Sequence, residues 1–573
     1  MSKIAIIILI FLYGEACAMG GFLDRWSSRY PESEAQEAGC QLCHQREDGG
    51  DGWNAYGWRL RTEMSLSGRP FETAVEILEG LNPDLDPTDT LSITEIELGT
   101  QPGWTVGARN TVFFRSGSIL LMQLPPQEFD SSIDVDPPVP IGNPFSPQIL
   151  LGDIKVDHST IASGFQKPFI GARAIGLRNV VFVVEQRGVV WAVNVESGQR
   201  RLFLDVRDNL VSQQDLGERG LIGMVFAPDF LQTGIFYTHQ SEPAGDFVAD
   251  FSTMPVGVDP DHQSVVSSWR LISDPRQLFS QPSSIESRRV LMRVDQPQSN
   301  NNGGAIGINP ADGYLYVSIG DGGNQDDEEV GHGRDGNGQN NETPFGAILR
   351  IDPNARNSEN GQYGVPLDNP FIDGSGLDEI YAHGFRNVRH FSFDSVTGDF
   401  YAADHGQYLI EEINLVSKGG NYGWNRKEGS FYFYPNGPIQ GYVSDEPHSD
   451  LPADLIDPIM EYDRDDGSRV VGGHVYRGSN ISALYGFYTF ADDNGRIYYQ
   501  DEDGSVTELV TTLPTGTRIK YLIQGGDDEL YALVVGLHSA SAVDGSLIRI
   551  GDTRDRDLCF PIKSERALAL ICL

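Results

Sequence analysis

One short motif carries the clearest chemistry in the sequence. Cys40, Cys43 and His44 stand in a Cys-x-x-Cys-His arrangement. Two thiols at this spacing can add across the two vinyl groups of one porphyrin, while the next imidazole reaches the iron from one side. A redox dithiol would not require the adjacent histidine, and a zinc site would need two more soft ligands. The motif therefore predicts covalently bound haem c, with His44 as an axial ligand of the iron.

The second axial ligand stays open. Met64 is the only methionine between the motif and the connector described below, and Met122 is a later candidate. An iron without a methionine ligand would have a lower potential or would bind small molecules, so the identity of this ligand bears on function.

An acidic segment follows the haem motif with the spacing of a calcium loop. Asp84, Asp86 and Glu95 stand at loop positions 1, 3 and 12, where carboxylates bind calcium. Asp89, however, stands where the sharp turn favours glycine. The segment is either a weak calcium loop or a solvated acidic turn.

The N-terminus has the pattern of a cleaved secretory signal over residues 1–18. Lys3 precedes an apolar run from Ile4 to Tyr13, and Ala16 and Ala18 provide small residues for cleavage. The run is far shorter than the ~20 residues of a membrane-spanning helix. We therefore expect an exported protein, periplasmic or secreted, that does not span the membrane. Lipidation at Cys17 is a weaker alternative, because Glu15 makes a poor recognition site.

The amino-acid composition indicates the fold class and the domain organisation of the rest of the chain. The chain has 573 residues with 65 Gly, 32 Pro and many short Val/Ile/Tyr/Phe runs, which favours an all-β protein. Residues 19–105 form the predicted haem domain, which resembles small α-helical cytochrome c-like modules, and the proline-rich residues 106–155 form a stiff connector. A formal charge of −39 argues against nucleic-acid binding. In the tail, residues 554–573, Cys559 and Cys572 are candidates for a disulfide.

Residues 156–553 carry a series of ordered glycine-rich motifs. They include Glu218–Gly223, Gly320–Gly323, Gly384–Asn387 and Gly419–Trp424. In order and spacing these motifs resemble the glucose/sorbosone dehydrogenase family, which uses pyrroloquinoline quinone (PQQ). The resemblance implies a six-bladed β-propeller over this region and a sugar or polyol substrate.

The resemblance also implies a quinone site. Arg386, Asn387, Arg518 and Lys520 match family positions that contact PQQ. Lys520 stands where an arginine is usual, which would weaken bidentate pairing with a carboxylate.

A calcium ion that polarises the quinone is implied as well. The matching segment offers the backbone carbonyls of Gly406 and Gln407 and the carboxylate of Glu411, all hard oxygen ligands. The acidic insert from Asp321 to Asn341 is either a second calcium site or a mobile acidic loop.

The sequence departs from the family at the catalytic base. Asn301 stands where the family has a histidine, and an amide cannot take the proton of a sugar hydroxyl near neutral pH. His405 and His383 could substitute for the histidine, and Glu218, near the position of a family substrate-site residue, is a further candidate catalytic residue. Each has an alternative role as a hydrogen-bonded structural residue.

Two functions remain open. The first is an exported quinohaemoprotein that oxidises a sugar or related alcohol or aldehyde at PQQ and passes electrons through haem c to an external acceptor. The second is a catalytically inactive propeller that binds a glycan or a protein, with a separate electron-transfer haem. Asn301 favours the second function, and the retained quinone-site residues favour the first.

Overall fold

The computed structural model describes residues 139–552 except 213–215, 246, 256, 329, 334–335, 437–438, 449–450, 502 and 538–543, together with shorter segments elsewhere. Those segments are 22–23, 25–31, 33, 42–44, 53–65, 69–81, 91–98, 102–103, 110–113, 119–123, 559–564 and 567–572. The predicted signal, Cys40, Asp84 and Asp86 lie outside the described residues. The chain divides into two compact units, residues 1–140 with 434–446 and residues 141–433 with 447–573.

The described residues of the first unit before residue 140 include a helical stretch at 25–29, three longer helices and a strand pair. The helices are α1 (Ala55–Ser65), α2 (Phe71–Glu79) and α3 (Ser92–Leu98), and the strands are β1 (Asn110–Phe113) and β2 (Ile119–Gln123). In α2, buried Phe71, Ala74, Val75 and Leu78 recur at the helical spacing of one face. They pack with Trp26 and Tyr56 into a small apolar core. Glu95 of the predicted calcium loop lies within α3.

The second unit begins with a long strand, β3 (Leu150–Gln166), and four of its sheets each have four antiparallel strands. The first two sheets are β4 (Pro168–Ala172), β5 (Val180–Glu185), β6 (Val189–Asn194) and β7 (Arg200–Asp205), then β8 (Leu221–Phe226), β9 (Ile235–Glu242), β10 (His262–Leu271) and β11 (Ile285–Gln296). The next two are β12 (Ile306–Ile308), β13 (Leu315–Ile319), β14 (Ala347–Ile351) and β15 (Ile380–His383), then β16 (Val388–Phe393), β17 (Phe400–Asp404), β18 (Glu411–Leu415) and, beyond an excursion of the chain, β22 (Met460–Tyr462).

The excursion forms a three-stranded sheet of β19 (Lys427–Glu428), β20 (Phe431–Asn436) and β21 (Ile439–Ser444). A single helical turn, α4 (Phe230–Thr233), and 3₁₀ turns at Arg207–Asn209, Pro275–Gln277 and Ser482–Leu484 connect strands elsewhere.

The remaining strands join into one eight-stranded sheet through β3. Its order is β23 (Val470–Val475), β24 (Tyr488–Asp492), β25 (Ile497–Gln500), β26 (Val506–Thr511), β3, β29 (Asp544–Asp552), β28 (Leu530–Val535) and β27 (Arg518–Gln524). The first part of β3 pairs in parallel with β26, and the rest pairs antiparallel with β29. β3, from the beginning of the unit, therefore joins two groups of strands from the end of the unit, β23 to β26 and β27 to β29.

Six strands contact one another in a closed ring. β4 contacts β8, which contacts β12, and the ring continues through β16, β23 and β27 back to β4. Successive sheets bury apolar side chains against each other, as Phe182, Phe203, Phe226 and Phe236 do between the first two sheets. Because both faces of the middle strands are covered, strands such as β5 are buried throughout and read as near-continuous apolar runs.

The chain is mostly β with few helices, which confirms the predicted bulk composition of the fold. The tail forms a hairpin of β30 (Cys559–Ser564) and β31 (Ala567–Cys572), in which the backbones of Cys559 and Cys572 are register partners. The disulfide between them stays a prediction that this register permits. In the described part of the chain, no helix is long and apolar enough to cross a membrane.

Candidate functional site

A buried carboxylate shapes the turn that carries Arg386 and Asn387. Asp404, at the end of β17, accepts the backbone N–H groups of Arg386 and Asn387 at 2.7 and 2.5 Å. Burial raises the pKa of Asp404 to about 6, although these N–H groups act in the opposite direction. Asp404 thus fixes the backbone of the turn, and the backbone in turn positions the side chains of Arg386 and Asn387, two residues of the predicted quinone site.

The Asn387 side chain brings two distant segments together. Its Oδ1 accepts the N–H of Gly303 at 3.0 Å, and its Nδ2 lies 3.2 Å from Glu218 Oε2 and 3.4 Å from Asn301 Oδ1. Glu218 Oε2 also accepts the Asn301 N–H at 2.9 Å. The structure therefore joins Glu218, Asn301 and Asn387, three residues that the sequence motifs place far apart.

Asn301 lies in a tight backbone turn. Its φ is +50°, in the left-handed region that asparagine tolerates better than most residues. A Cβ on Gly320 would come within 2.0 Å of the Asn301 carbonyl oxygen, so only glycine allows this packing. The side chain is 3% exposed, and its Nδ2 has no hydrogen-bond partner among the described residues. An amide with unused donors occupies the predicted base position.

Glu218 is the ionisable group at this position. Burial alone would raise its pKa, but Arg389, Arg469, the Asn301 N–H and Arg386 outweigh burial and lower it below the usual glutamate range. Arg389 Nη1 lies 3.8 Å from Glu218 Oε1. The carboxylate is therefore charged at neutral pH and can accept a proton.

Arg389 and Arg469 were missed by the sequence analysis. Arg389 follows Asn387 by two residues, and this strand spacing, which puts both side chains on one face, is the signal that could have found it. Its guanidinium lies 4.4 Å from the centre of the Phe169 ring and is 18% exposed. Arg469 precedes β23 and is exposed, and no local pattern in the sequence marks it.

The two histidine candidates have other environments. Burial, with Arg389 and Arg469, holds the pKa of His405 well below its usual range, and its Nε2 lies 2.6 Å from the Val470 carbonyl oxygen. A neutral imidazole in this contact uses Nε2–H as a donor, so that nitrogen is engaged. His383 is buried against Phe371, with ring centres 5.7 Å apart, and burial lowers its pKa as well. Of the three candidate bases, Glu218 is the one that contacts Asn301.

Arg518 and Lys520, two of the predicted quinone-binding cations, lie in the same region, where both contact an acidic residue. Asp493, 3% exposed, pairs with Arg518 and accepts Lys520 Nζ at 2.9 Å. Burial lowers the pKa of Lys520, and Asp493 opposes that shift. Arg389 interacts electrostatically with both Asp493 and Lys520, which links this pair to the Glu218 group.

This donor set fits a polycarboxylated quinone. Arg386 Nε is buried and makes no hydrogen bond with any described residue. The guanidinium lies 5.5 Å from the centre of the Trp424 ring, a flat aromatic neighbour. Arg386, Arg518 and Lys520 together supply the cations that carboxylates require.

The predicted calcium ligands do not fit a metal site. Arg386 Nη1 donates to the carbonyls of His405 and Gly406 at 3.1 and 3.3 Å, so a guanidinium stands where a cation would bind. Glu411 is engaged by Arg464 and by the Val470 N–H at 2.9 Å, and burial raises its pKa to about 7. In the part of the chain that the structure describes, no group of three His, Cys, Asp or Glu residues could hold a metal.

A different carboxylate organises the Gly406–Ile410 segment. Glu428 Oε1 accepts the backbone N–H groups of Tyr408, Leu409 and Ile410 at 2.8–2.9 Å. Gly406 is required, because a Cβ there would come within 1.6 Å of the Ile410 carbonyl oxygen. Gln407 contacts Asp326 through both ends of its side-chain amide.

The acidic insert is packed rather than solvated. Asp321, Asp326 and Asp327 are fully buried. Asp327 accepts the N–H groups of Asn337 and Gly338 at 2.8 and 2.7 Å and contacts His332 Nδ1 at 2.8 Å. Burial raises the pKa of Asp321 to about 7. The alternative of a mobile acidic loop does not fit these residues, because they are buried and their carboxylates are hydrogen-bonded within the insert, to Gln407 and to Trp424.

In the first unit, α1 packs against the Cys-x-x-Cys-His segment. A Cβ on Gly57 would lie 2.1 Å from the Cys43 carbonyl oxygen, and Asn54 Nδ2 donates to the Leu42 carbonyl at 3.0 Å. His44 is 2% exposed, with its ring centre 3.9 Å from that of Trp53. This apolar, aromatic setting fits a haem group. Met64 lies in α1, partly buried against the core of this unit.

Comparison with known proteins adds a family. The sequence model of the Glucose / Sorbosone dehydrogenase family matches residues 172–544. The chain is 29% identical over 361 residues to the HIPL2 protein of Arabidopsis thaliana (55% of this chain, 49% of that protein) and 28% identical over 295 residues to Quinoprotein glucose dehydrogenase B of Acinetobacter calcoaceticus (49% and 55%). It is 24% identical over 340 residues to the Hedgehog-interacting protein of Mus musculus (58% and 42%).

The chain thus spans about half the length of the curated relatives it matches. Among solved structures, the soluble aldose sugar dehydrogenase of Escherichia coli in its apo form has the same fold, with a TM-score of 0.52 and 20% identity over 69% of this chain and 99% of that one. The family match covers more than half of the sequence and includes every residue of the Glu218, Asn301 and Asn387 group. The chain belongs to the glucose/sorbosone dehydrogenase family.

Proposed function

We propose that this protein is an exported sugar dehydrogenase that uses PQQ and passes electrons to haem c attached at Cys40 and Cys43. Family membership supports sugar oxidation. The observation that carries the proposal is the Glu218 carboxylate, which accepts the Asn301 N–H and the Asn387 amide, beside the residue at which the family resemblance implies a histidine. The closed ring of β4, β8, β12, β16, β23 and β27 supports six blades, with the eight-stranded sheet counted as two.

In this proposal Glu218 takes the hydroxyl proton of the sugar. When bound, PQQ supplies the electron-poor carbonyl that accepts the hydride from the same carbon. The alcohol loses one proton and one hydride and becomes a carbonyl, so the reaction balances. Asn301 and Asn387 hold the Glu218 oxygen in place, and an oriented base accelerates proton transfer by about 10²–10⁴-fold.

The other residues of the site bind rather than react. Arg386, Arg518 and Lys520 would hold the quinone carboxylates, in competition with Asp493, which pairs with Arg518 and Lys520. The buried Asp404 keeps Arg386 oriented through the backbone. No part of this scheme uses the Gly406, Gln407 and Glu411 segment as a calcium site.

Haem c is the proposed outlet for electrons. Oxidation of a hydroxyl releases two electrons, and a haem held at Cys40, Cys43 and His44 would supply one-electron transfer to an external acceptor. A haem domain on the same chain raises the effective concentration of that first acceptor. His44 is the proposed axial ligand, and its buried setting beside Trp53 supports this role.

A second candidate is a catalytically inactive propeller that binds a glycan or a protein. Asn301 favours it, because the usual base is absent, and so does the pairing of Asp493 with both Arg518 and Lys520. In such a protein the internal ion pairs would be permanent, and PQQ would not bind.

The test is a calorimetric titration of PQQ into the full-length, haem-loaded protein, with aldoses and a dye acceptor assayed in parallel. We expect binding and slow turnover in the natural protein and faster turnover in Asn301→His, which restores an imidazole base. The exposed Glu286→Gln is the surface control. Absence of PQQ binding, or binding without turnover in either protein, would overturn the proposal in favour of the binding propeller.

A further inference from the structure

We propose that Gln186 is a positioning residue for Glu218. Its buried side-chain amide holds the turn that carries the Glu218 carboxylate, and the position of that carboxylate determines how fast it takes the proton of the sugar. This inference rests on the proposed function, in which Glu218 is the proton acceptor. It starts from the backbone on either side of Glu218.

Glu218 lies in a short turn between two glycines. The φ of Gly217 is +55° and that of Gly220 is +124°, both in the range that favours glycine. Because glycine allows many backbone conformations, the residues between the two glycines have no strongly preferred direction of their own. Contacts from outside the turn must therefore decide where the Glu218 side chain begins.

Gln186 makes such contacts on both sides of Glu218. Its Nε2 donates to the carbonyl oxygens of Gly217 and Arg219, both at 2.8 Å. Gln186 is 6% exposed, so little water competes for these two hydrogen bonds. Loss of the donors would leave two carbonyls at the turn without these partners, which favours a different backbone conformation there.

Gln186 is itself held in place by its backbone. It directly follows β5, and its N–H donates to the Lys167 carbonyl at 3.0 Å. Its own carbonyl accepts the N–H of Leu221, the first residue of β8, at 2.8 Å. A Cβ on Gly220 would come within 2.3 Å of that carbonyl oxygen, so the turn lies directly against Gln186. The amide therefore holds the turn from a fixed strand end.

The side chain after Glu218 is held separately. Arg219 Nη1 donates to Asp261 Oδ1 at 2.9 Å, and His262 Nδ1 lies 2.9 Å from the same oxygen. This contact fixes the Arg219 side chain, whereas Gln186 fixes the carbonyls of the turn. Together they leave the Glu218 side chain as the part of the turn that reaches the site.

The Glu218 carboxylate extends from this backbone to its partners. Its Oε2 accepts the Asn301 N–H at 2.9 Å and lies 3.2 Å from Asn387 Nδ2. These contacts orient the carboxylate, and Gln186 holds the backbone from which the side chain starts. A displacement of about 1 Å at a reacting group can lower a rate about 10²-fold, so the position of this backbone bears on proton transfer.

The first experiment uses Gln186→Met, which keeps the length of the side chain and removes both N–H donors. In the full-length, haem-loaded protein with saturating PQQ, we expect kcat of aldose oxidation to fall about tenfold or more, because Glu218 loses its fixed position. The KM for the sugar and the affinity for PQQ should change little, since Gln186 is buried and acts through Glu218. An unchanged kcat overturns the inference.

Gln263→Met is the matched control. Gln263 is 1% exposed, and its Nε2 also has two acceptors, the Phe247 carbonyl and Asp295 Oδ1, both at 2.9 Å. This variant measures the general cost of removing a buried amide. It should keep the natural kcat even where thermal unfolding shows a lower melting temperature.

A double variant separates positioning from general structural support. If Gln186 acts through Glu218, then Gln186→Met should lower kcat no further in a Glu218→Gln background, because the residue that it positions is already lost. The same fold-loss in both backgrounds would assign Gln186 to the stability of the fold and overturn the inference.

A crystal structure of Gln186→Met gives a readout that does not depend on activity. We expect Glu218 Oε2 to leave the Asn301 N–H in this variant, and unchanged contacts would overturn the inference. The proposed function fails by a different result, the absence of PQQ binding and turnover in the natural protein. A normal kcat in Gln186→Met beside a lowered kcat in Glu218→Gln would reject the inference alone.

Discussion

At the scale of single residues, the proposed function assigns the acid–base chemistry to Glu218, because Asn301 stands where the family resemblance implies a histidine. An imidazole base loses activity as pH falls through the neutral range, because it becomes protonated. A glutamate whose pKa is lowered by Arg389 and Arg469 stays charged well below that range. The site therefore keeps a proton acceptor under acidic conditions in which a histidine would fail.

We predict that Glu218→Gln lowers kcat of sugar oxidation about 10²-fold or more, because glutamine cannot accept the proton. Binding of the sugar should change much less. The natural protein should keep its activity from pH 8 to pH 5 and lose it only as pH falls below the ordinary glutamate value of 4.5. Steady-state assays across this range check both claims. An inflection near pH 6.5 that persists in Glu218→Gln would assign the base to a histidine.

Asp493 leads to a second prediction at this scale. Because it occupies both Arg518 and Lys520, it competes with the quinone carboxylates for the same cations. Asp493→Asn should tighten PQQ binding about tenfold, as the lost competition leaves two charges unpaired. It should also lower the melting temperature without ligand, because Arg518 and Lys520 then lose the carboxylate that both contact. Calorimetry and thermal unfolding measure the two effects, and unchanged PQQ affinity would show that Asp493 does not compete.

Residue types were predictable from the sequence only where a motif carries them. Glu218, Arg386 and Asn387 lie in recognisable glycine-rich motifs, and the structure brings them together. Arg469 and Asp493 follow strands or turns without any local signal, and they reach the site through packing between sheets. Long-range partners of this kind depend on how the chain closes, which a linear pattern does not encode.

At the scale of elements, the absence of a Cβ at certain glycines allows two backbone segments to pack closely together. Gly406 lets the loop before β18 fold back on Ile410, and Gly57 lets α1 touch the segment that carries Cys43 and His44. The sequence predicted strands well because their apolar runs are long. It predicted the acidic insert badly, because composition alone does not reveal the hydrogen bonds that bury Asp321 and Asp327.

The contact at Gly57 can be tested in the first unit. Gly57→Val would force α1 away from Cys43, since even a Cβ comes within 2.1 Å of its carbonyl oxygen. We expect a severalfold drop in covalent haem per chain, measured by absorbance in alkaline pyridine, because the motif would no longer be presented in one conformation. Gly80→Ala is the control, since a Cβ there meets nothing closer than 3.8 Å. Normal haem content in Gly57→Val would show that this packing is not needed for attachment.

At the scale of the whole molecule, buried carboxyl groups set how stability responds to pH. Burial raises the pKa of Asp404 to about 6 and that of Asp321 and Glu411 to about 7. Near pH 6 these three groups thus bind more protons in the folded protein than in the unfolded chain, so their contribution to the free energy of unfolding falls as pH rises. This stabilisation is complete below the ordinary carboxyl values and is lost as pH rises through 6 and 7.

We predict that Glu411 favours a higher melting temperature at pH 5 than at pH 8, so the melting temperature at pH 5 minus that at pH 8 should be larger in the natural protein than in Glu411→Gln. Circular dichroism during heating, at constant ionic strength, measures the difference. Glu411→Gln removes one of the titrating groups and should flatten the dependence. The same pH dependence in Glu411→Gln and in the natural protein would contradict the assignment of a neutral, buried Glu411 to the folded state.

The pairing of β3 with β26 and β29 also bears on how the molecule is made. Ser163 and Ser546 meet across this sheet at a sequence separation of 383 residues. During synthesis, β3 can pair with β26 or β29 only after those late strands have left the ribosome. Until then the unpaired backbone N–H and C=O groups of β3 can pair with other chains. Closing so long a loop is slow, so closure of the ring is expected to be the late step. We therefore expect that nascent chains whose synthesis stalls near residue 500, before the later strands are made, aggregate or are degraded.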